Sequence, residues 1–455
     1  MRPIEREDGG QKDMFRSRLD QIVNLNHELA KLGRAIDWRF LETKFGAVYK
    51  DGPGQPPLPT RLMAGLAILK ATYDLSDEAL CDRWVENPYY QLFCGEEFFQ
   101  HALPFDRTSI TRWRQRMGEE RLKSLVEESL ATAVRTKAAK PADFRAAIID
   151  TTVQEKAITF PTDAKLLHRA RERLVRLAKA KGVELRQSYE RVGKRTLIRY
   201  QRYAHARQFK RANRELRRLR TMLGRVRRDI IRKIAGEGDL QQALRAAFAH
   251  PLSLARRVME QRRGERGPKV YSLHAPEVEC IGKGKPHKPY EFGVKVSIAT
   301  PLRRCKGGQF VLHAKAMPGN PYDGHTLATV IPEIEKSVGA PLDKIVTDAG
   351  YRGHKAPKDR HFKVYVAGMK RGLTKTIKGF FKRRAAVEPV IGHTKNEHRM
   401  GRNYLAHAAG DANNAVLAAT GYNFSLLLKW LRVLCPWMIA RLYAIVPTNH
   451  RPASA

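Results

Sequence analysis

Three carboxylates stand where a fold could gather them for metal-assisted chemistry. Asp150 ends the buried part of Ala146-Ala147-Ile148-Ile149-Asp150-Thr151-Thr152-Val153, an apolar and β-branched run that reads as a buried strand. Asp348 closes a second strand-like run, Leu342–Asp348, and Glu388 lies in a helical segment further on. Magnesium prefers oxygen ligands and is usually held by a few carboxylates together with waters and substrate phosphates. Two such ions, about 4 Å apart, activate the attacking oxygen and stabilise the leaving one in phosphoryl transfer. That chemistry needs carboxylates from distant parts of a chain, and strand ends with a facing helix supply them on rigid elements. Taken singly, each is one of 46 acidic residues, a type that mostly faces solvent. Glu388 is set apart by its neighbours. Arg384 stands four residues before it and Lys395 seven after, so a helix puts all three on one face. Two cations beside a metal-holding carboxylate are placed to clamp phosphates. Pro389 follows Glu388 directly, which predicts a kink or a helix start at that point.

The elements that must position these residues can be read along the chain. Residues 1–135 read as all-helical. Leu62, Leu66 and Leu69 form an apolar face after the proline-rich Pro53–Pro59, and Ser76 caps a helix that opens with Asp77 and Glu78. A further helix opens at Asp106–Ser109. Ile110, Trp113 and Met117 share one of its faces while Arg112, Gln115 and Arg116 point elsewhere, a pattern suited to the DNA major groove. A solvated surface helix has the same spacing. After the Asp150 strand, residues 161–270 hold 32 Lys and Arg against 10 Asp and Glu. Two apolar seams run through this block, Leu167, Ala170, Leu174, Leu177 and Phe209, Ala212, Leu216, Leu219, Leu223, Val226, Ile230, as in an antiparallel helical hairpin. Arg217, Arg218, Arg220, Arg225, Arg227 and Arg228 cover its other faces. So large an excess of one sign repels itself unless an anion is near, and the block reads as an insertion that lies against DNA. Strand patterns return at Glu277–Ile281 and Tyr290–Thr300, a hairpin across Gly282-Lys283-Gly284, and at Gln309–Ala316. A helix over Gly324–Ser337, the Asp348 strand and further helices complete a mixed α/β order.

The charge balance points the same way. The 455-residue chain carries 85 Lys and Arg against 46 Asp and Glu, a net charge of +39, which favours a polyanion as partner. A structural nucleoid protein would share that charge without an active site. Cys81, Cys94, Cys280, Cys305 and Cys435 show no zinc spacing and read as buried thiols of a reducing compartment. Met1–Asp8 holds no apolar stretch of a signal peptide. The apolar run Ala415–Trp437 is interrupted by Asn423, Lys429 and Arg432 and reads as an amphipathic or core helix pair rather than a membrane span. A cytoplasmic, nucleoid-associated protein is expected. Asp323, in Asn320-Pro321-Tyr322-Asp323-Gly324-His325, reads as a helix cap. His325 reads as structural, and it stays outside the catalytic set with His354 and His393.

The sequence around Glu388 resembles the catalytic helix of Asp-Asp-Glu transposases of bacterial insertion sequences, in the four/five superfamily and its five-like group. Their Tyr-x2-Arg-x3-Glu-x6-Lys signature is matched by Arg384, Glu388 and Lys395, with Phe381 in the Tyr place. Ile148–Thr152 resembles their first Asp strand, Val346–Gly353 their second Asp block, and Pro59–Gly118 their preceding helical domain. Three features depart from the pattern: Phe381 offers no hydroxyl, Pro389 directly follows Glu388, and the basic insertion puts Asp348 198 residues after Asp150.

The resemblance implies a ribonuclease-H-like mixed sheet in a catalytic domain at 136–432. That domain would carry the basic helical-hairpin insertion at 161–270, follow an all-α DNA-binding domain at 1–135, and precede a tail at 433–455. It implies binding to terminal inverted repeats, hydrolysis at each transposon end, and attack of the freed 3′-OH on target DNA. Two Mg²⁺ ions, for which Mn²⁺ substitutes, would be held by Asp150, Asp348 and Glu388, with Asp150 bridging both. DNA would meet Arg384 and Lys395 near the scissile bond, and Arg112, Arg116, Arg217, Arg218, Arg225 and Arg228 elsewhere. Joining two ends implies a homodimer or larger assembly on DNA. The rival readings are a related nuclease or resolvase, and a non-enzymatic basic DNA-binding protein.

Overall fold

A computed structural model describes residues 17–445, apart from 50–55, 263, 266, 283, 285, 359–361, 370 and 371, with side chains described as far as Arg432. The readings made above for Met1–Asp8, Pro53, Lys283, Cys435 and the side chains of the tail lie outside the described residues. The chain divides into two units, Lys156–Gly293 and the remainder.

The described residues of the larger unit open with the helices α1 (Leu19–Ile22), α2 (Glu28–Ala35), α3 (Trp38–Gly46), α4 (Thr60–Thr72), α5 (Asp77–Glu86), α6 (Pro88–Phe93) and α7 (Thr108–Arg135). Their starts follow the local chemistry. The Ser76 hydroxyl accepts from Ala79 N at 3.0 Å, and the Asn87 side chain does the same for Tyr89 N at 2.9 Å ahead of Pro88. Along α7, Ile110, Trp113 and Met117 are buried while Arg112, Gln115 and Arg116 are exposed, as the spacing predicts. Arg114 turns inward to Asp77 at 3.1 Å. Helix α7 breaks at Gly118, whose φ of 64° and ψ of 179° belong to a region that only glycine occupies readily.

Strand β1 (Ala146–Glu155) then enters the sheet, continuing past Asp150. After the second unit come β3 (Tyr290–Pro301), β4 (His313–Met317), α12 (Asp323–Val338), β5 (Lys344–Thr347), β6 (Lys363–Val366), α13 (Lys375–Arg384), α14 (Val387–Glu397) and α15 (His407–Ile445). The sheet is mixed, in the order β3-β1-β5-β6 with β4 also on β3. Strands β1, β5 and β6 run parallel, and β4 runs antiparallel to β3. Strand β6 is absent from the sequence reading. Helix α15 packs on α2, α4, α7 and β4, helix α14 on β1, and helix α12 on β4.

The run after Ala415 is one helix, not a pair. Asn423 is fully buried there, and its amide donates to Val311 O and Ser129 Oγ and accepts from Val311 N at 2.8–2.9 Å, so its polarity is satisfied inside the core. Lys429 is exposed. Among the described residues no helix is long and apolar enough to cross a membrane.

Among its described residues the smaller unit holds four helices rather than a hairpin: α8 (Asp163–Ala180), α9 (Glu190–His205), α10 (Phe209–Lys233) and α11 (Asp239–Glu260), followed by β2 (Glu279–Gly282) paired antiparallel with Tyr290–Gly293. Its core is the two predicted seams plus Phe248, Leu254, Ala255 and Val258 of α11. Phe209 is a correction: at the start of α10 it is 63% exposed and takes no part in the seam. Arg217, Arg218, Arg220, Arg225 and Arg228 of α10 are exposed opposite buried Leu219, Leu223, Val226 and Ile230, while Arg227 is half-buried. Glu215 and Asp229 are buried on the seam and paired with Arg218 at 3.0 Å and Arg232 at 3.5 Å.

Candidate active site

Asp150 and Asp348 reach one place because β1 and β5 are adjacent, parallel and in register. Ala146, Ala147 and Ile148 face Lys344, Ile345 and Val346, so two residues further on Asp150 and Asp348 come level, with strands about 4.8 Å apart. Even spacing from the last pair keeps both on the same face of the sheet. Each carboxylate is fixed by its own backbone. Asp150 Oδ1 accepts from Thr151 N at 2.7 Å, and Asp348 Oδ1 accepts from Gly350 N at 2.9 Å, closing the turn at Ala349–Tyr351.

Glu388 arrives on the other side through a local device. Helix α13 ends at Arg384 and α14 begins at Val387, with two α-region alanines between them. Arg384 at a helix C-terminus and Glu388 in a helix first turn are each favoured by the helix dipole. Pro389 sits in the same first turn, where a missing N–H leaves no helical bond unmade. The predicted helix start therefore lies just ahead of Glu388, and the single-stripe picture becomes two helix ends. Arg384 spans them: one guanidinium nitrogen is 3.6 Å from Asp150 Oδ2 and the other 3.5 Å from Glu388 Oε1. Asp150 is mostly buried and Glu388 mostly exposed, so this cation carries charge balance from the sheet to the surface helix. Phe381 packs partly buried against the core, and Lys395 is half-buried in the last turn of α14.

Sequence reading missed a fourth carboxylate. Asp323 is the first residue of α12 with Tyr322 as the cap, and its side chain does not cap the helix. Its Oδ1 accepts from Thr151 Oγ1 at 3.1 Å and from Lys295 Nζ at 2.8 Å, and the same ammonium donates to Pro321 O at 2.7 Å. Its Oδ2 faces the Asp348 turn. A Cβ on Gly350 would lie 3.5 Å from Asp323 Oδ2 and 3.1 Å from Asp348 Oδ1, so a side chain there would crowd both carboxylates. Tyr351 lies beneath, fully buried. Burial first, then the charges of Asp150, Asp323 and Asp348, push its phenol well above the ordinary range, so it stays protonated.

The histidines stand apart. His325 is exposed and edge-on to Tyr322, His354 Nδ1 accepts from Ala356 N at 3.4 Å, and His393 pairs with Glu397 at 2.5 Å. Arg112 and Arg116 belong to α7, where Arg116 stacks on Tyr49. Arg217, Arg218, Arg225 and Arg228 belong to α10 of the other unit. Among the described residues no three His, Cys, Asp or Glu side chains converge closely enough to hold a metal as they stand. The space between Asp150 and Glu388 is taken by the Arg384 guanidinium.

Residues 17–116 match a family described as "Transposase domain (DUF772)". The chain is 49% identical over 209 residues to an uncharacterized protein, ORF8 in the nfe locus, of Rhizobium meliloti. That match covers 46% of this chain and all of the relative. No solved structure matches the chain.

Proposed function

Residues 17–116 belong to a transposase domain family, and from that premise we propose that this chain cuts and joins DNA with Asp150, Asp348 and Glu388 as metal ligands on a ribonuclease-H-like sheet. The observation that carries this reading is the level placement of Asp150 and Asp348 on adjacent parallel strands, with Arg384 tying Glu388 to Asp150.

The donor set suits magnesium, since every candidate ligand is a carboxylate oxygen, Asp150 within β1, Asp348 just after β5 and Glu388 in a helix first turn. The guanidinium between Asp150 and Glu388 marks where the site already draws positive charge. Two Mg²⁺ ions, or Mn²⁺ in their place, would activate water and stabilise the leaving oxygen. The chain's own part is to position and neutralise. Arg384, bound only at 3.5–3.6 Å and partly exposed, is free to exchange carboxylate for a DNA phosphate, leaving Asp150 and Glu388 for cations. Lys395 would hold a second phosphate along α14. No Ser or Tyr nucleophile is required.

The direct test supplies the chain with Mg²⁺ and its own terminal inverted repeats. A 3′-OH end that becomes joined to a target plasmid is the expected product. Cleavage without joining would make it a nuclease, and binding without cleavage a packaging protein.

Non-specific grip is assigned to the exposed arginines of α7 and α10. Replacing Arg217, Arg218, Arg225 and Arg228 together by Gln should weaken DNA binding and reduce the slope of log K against log salt by about three to four, at ~0.9 for each phosphate no longer neutralised. An unchanged slope in a filter-binding titration would show that α10 does not touch phosphate.

A further inference from the structure

We propose that Asp323 is a fourth carboxylate ligand of this site, holding a divalent cation through Oδ2 while Lys295 and Thr151 fix its other oxygen. The inference rests on the reading of Asp150 and Asp348 as ligands and adds a residue that the three-carboxylate pattern leaves out.

Its two oxygens live in different surroundings. Oδ1 is engaged by Lys295 Nζ at 2.8 Å and Thr151 Oγ1 at 3.1 Å. Thr151 is next to Asp150, so this bond ties the start of α12 to the strand that carries the first ligand. Oδ2 is turned to the space over Gly350 that Asp348 Oδ1 also borders. A carboxylate held by second partners at one oxygen, with the other directed at a neighbouring carboxylate, has the geometry of an oriented metal ligand.

Tyr351 gives an independent sign of a ligand. Its hydroxyl is buried and meets no hydrogen-bond partner, a state that costs about 1–3 kcal/mol for a buried polar group. The Thr326 hydroxyl beside it is engaged with the Asp323 carbonyl at 2.7 Å and does not meet it in hydrogen-bond geometry. Tyr351 ends the 3-10 turn that Asp348 caps, and its backbone oxygen would lie 3.1 Å from a Cβ on Gly324, the neighbour of Asp323. Magnesium keeps several of its waters, and these need acceptors. A buried, unpartnered phenol oxygen next to the Asp348 turn is such an acceptor.

The test is Mn²⁺ binding to the full-length protein, read from the electron paramagnetic resonance signal of the free ion, with no DNA and no turnover. Asp323→Asn should weaken binding about tenfold or more, the scale of losing an ordered partner of a metal site. That variant also strands Lys295, so Asp323→Asn/Lys295→Met is measured beside it, and it should bind as weakly. If the double variant binds Mn²⁺ like the unaltered chain while Asp150→Asn and Asp348→Asn bind weakly, Asp323 is only the ion-pair partner of Lys295. The fourth ligand is then overturned and the three-carboxylate reading stands. If Asp150→Asn and Asp348→Asn also bind unchanged, the metal site itself is lost, and Asp323 with it.

Discussion

Asp150→Asn and Asp348→Asn should each lower DNA cleavage by about three orders of magnitude, the rate equivalent of the several kcal/mol that a metal ion supplies to such a reaction, while DNA binding persists. The amide is chosen because it preserves what the fold asks of each side chain. Thr151 N still finds an oxygen at Asp150, and Gly350 N still finds one at Asp348, so the strand end and the turn keep their hydrogen bonds. Only the negative charge and one ligand oxygen are removed. Glu388→Gln should have the same effect on cleavage through a different balance. Glu388 is mostly exposed and held by Arg384 alone among its described ion pairs, so the change leaves stability almost untouched. The exposed arginines of α7 and α10 are unaltered in all three variants, so gel-shift affinity for the terminal repeat should stay within a few-fold. A variant that cleaves labelled terminal DNA within tenfold of the unaltered chain removes that residue from the ligand set. Persistence in Glu388→Gln alone would move the third ligand to Asp323.

These residues were unequally legible. Asp150 and Asp348 could be read locally because a buried strand announces itself by a β-branched apolar run with a carboxylate after it, although β1 runs on through buried Thr152, Val153 and Gln154 rather than ending at Asp150. Glu388 could be read only from the Arg384 and Lys395 spacing, and the contact that places it crosses a break between two helices. Asp323 was invisible as anything but a cap. Its partners Thr151 and Lys295 lie 172 and 28 residues away, and no local pattern encodes such a meeting. Strand β6 was missed for a related reason. Lys363–Val366 has four residues, one of them buried, too few for a period of two to show. Asn423 misled because a polar residue in an apolar run signals a break unless its partners are known, and Val311 and Ser129 come from other elements. In the basic unit the long seam of α10 was plain. Helix α9 turns Gly193, Thr196, Leu197 and Tyr200 inward, a stripe with a single aliphatic side chain, too weak to pick out among its arginines and lysines.

The second large effect is on stability and concerns Glu333, on α12 ten residues after Asp323. Its carboxylate is the shared anion of three basic side chains from two other elements. Lys123 of α7 approaches at 2.8 Å, His313 of β4 at 3.0 Å, and Lys315 of β4 completes the set. Lys123 also reaches Glu119 at 3.3 Å and Glu120 at 2.8 Å. Burial alone would raise the Glu333 pKa, but the hydrogen bonds from His313, Lys123 and Lys315 outweigh it and hold the carboxyl well below the usual range. Burial keeps His313 neutral, so Nε2–H donates to Glu333. Glu333→Gln leaves Lys315 without its counter-charge in a mostly buried setting, and the expected loss is about 3–5 kcal/mol. Urea unfolding followed by tryptophan fluorescence reads it cleanly, because Trp38, Trp84, Trp113, Trp430 and Trp437 all lie outside Lys156–Gly293. The pH dependence gives the sign. A carboxyl whose folded pKa is depressed contributes its full stability above its unfolded value, about 4.3, and loses it as pH falls toward the folded one. The gap between the two proteins should therefore be full near pH 7 and narrow below about pH 4. A gap under about 1 kcal/mol at pH 7, or one that widens in acid, would mean that the Lys123–Glu333–Lys315 network does not hold α7, β4 and α12 together.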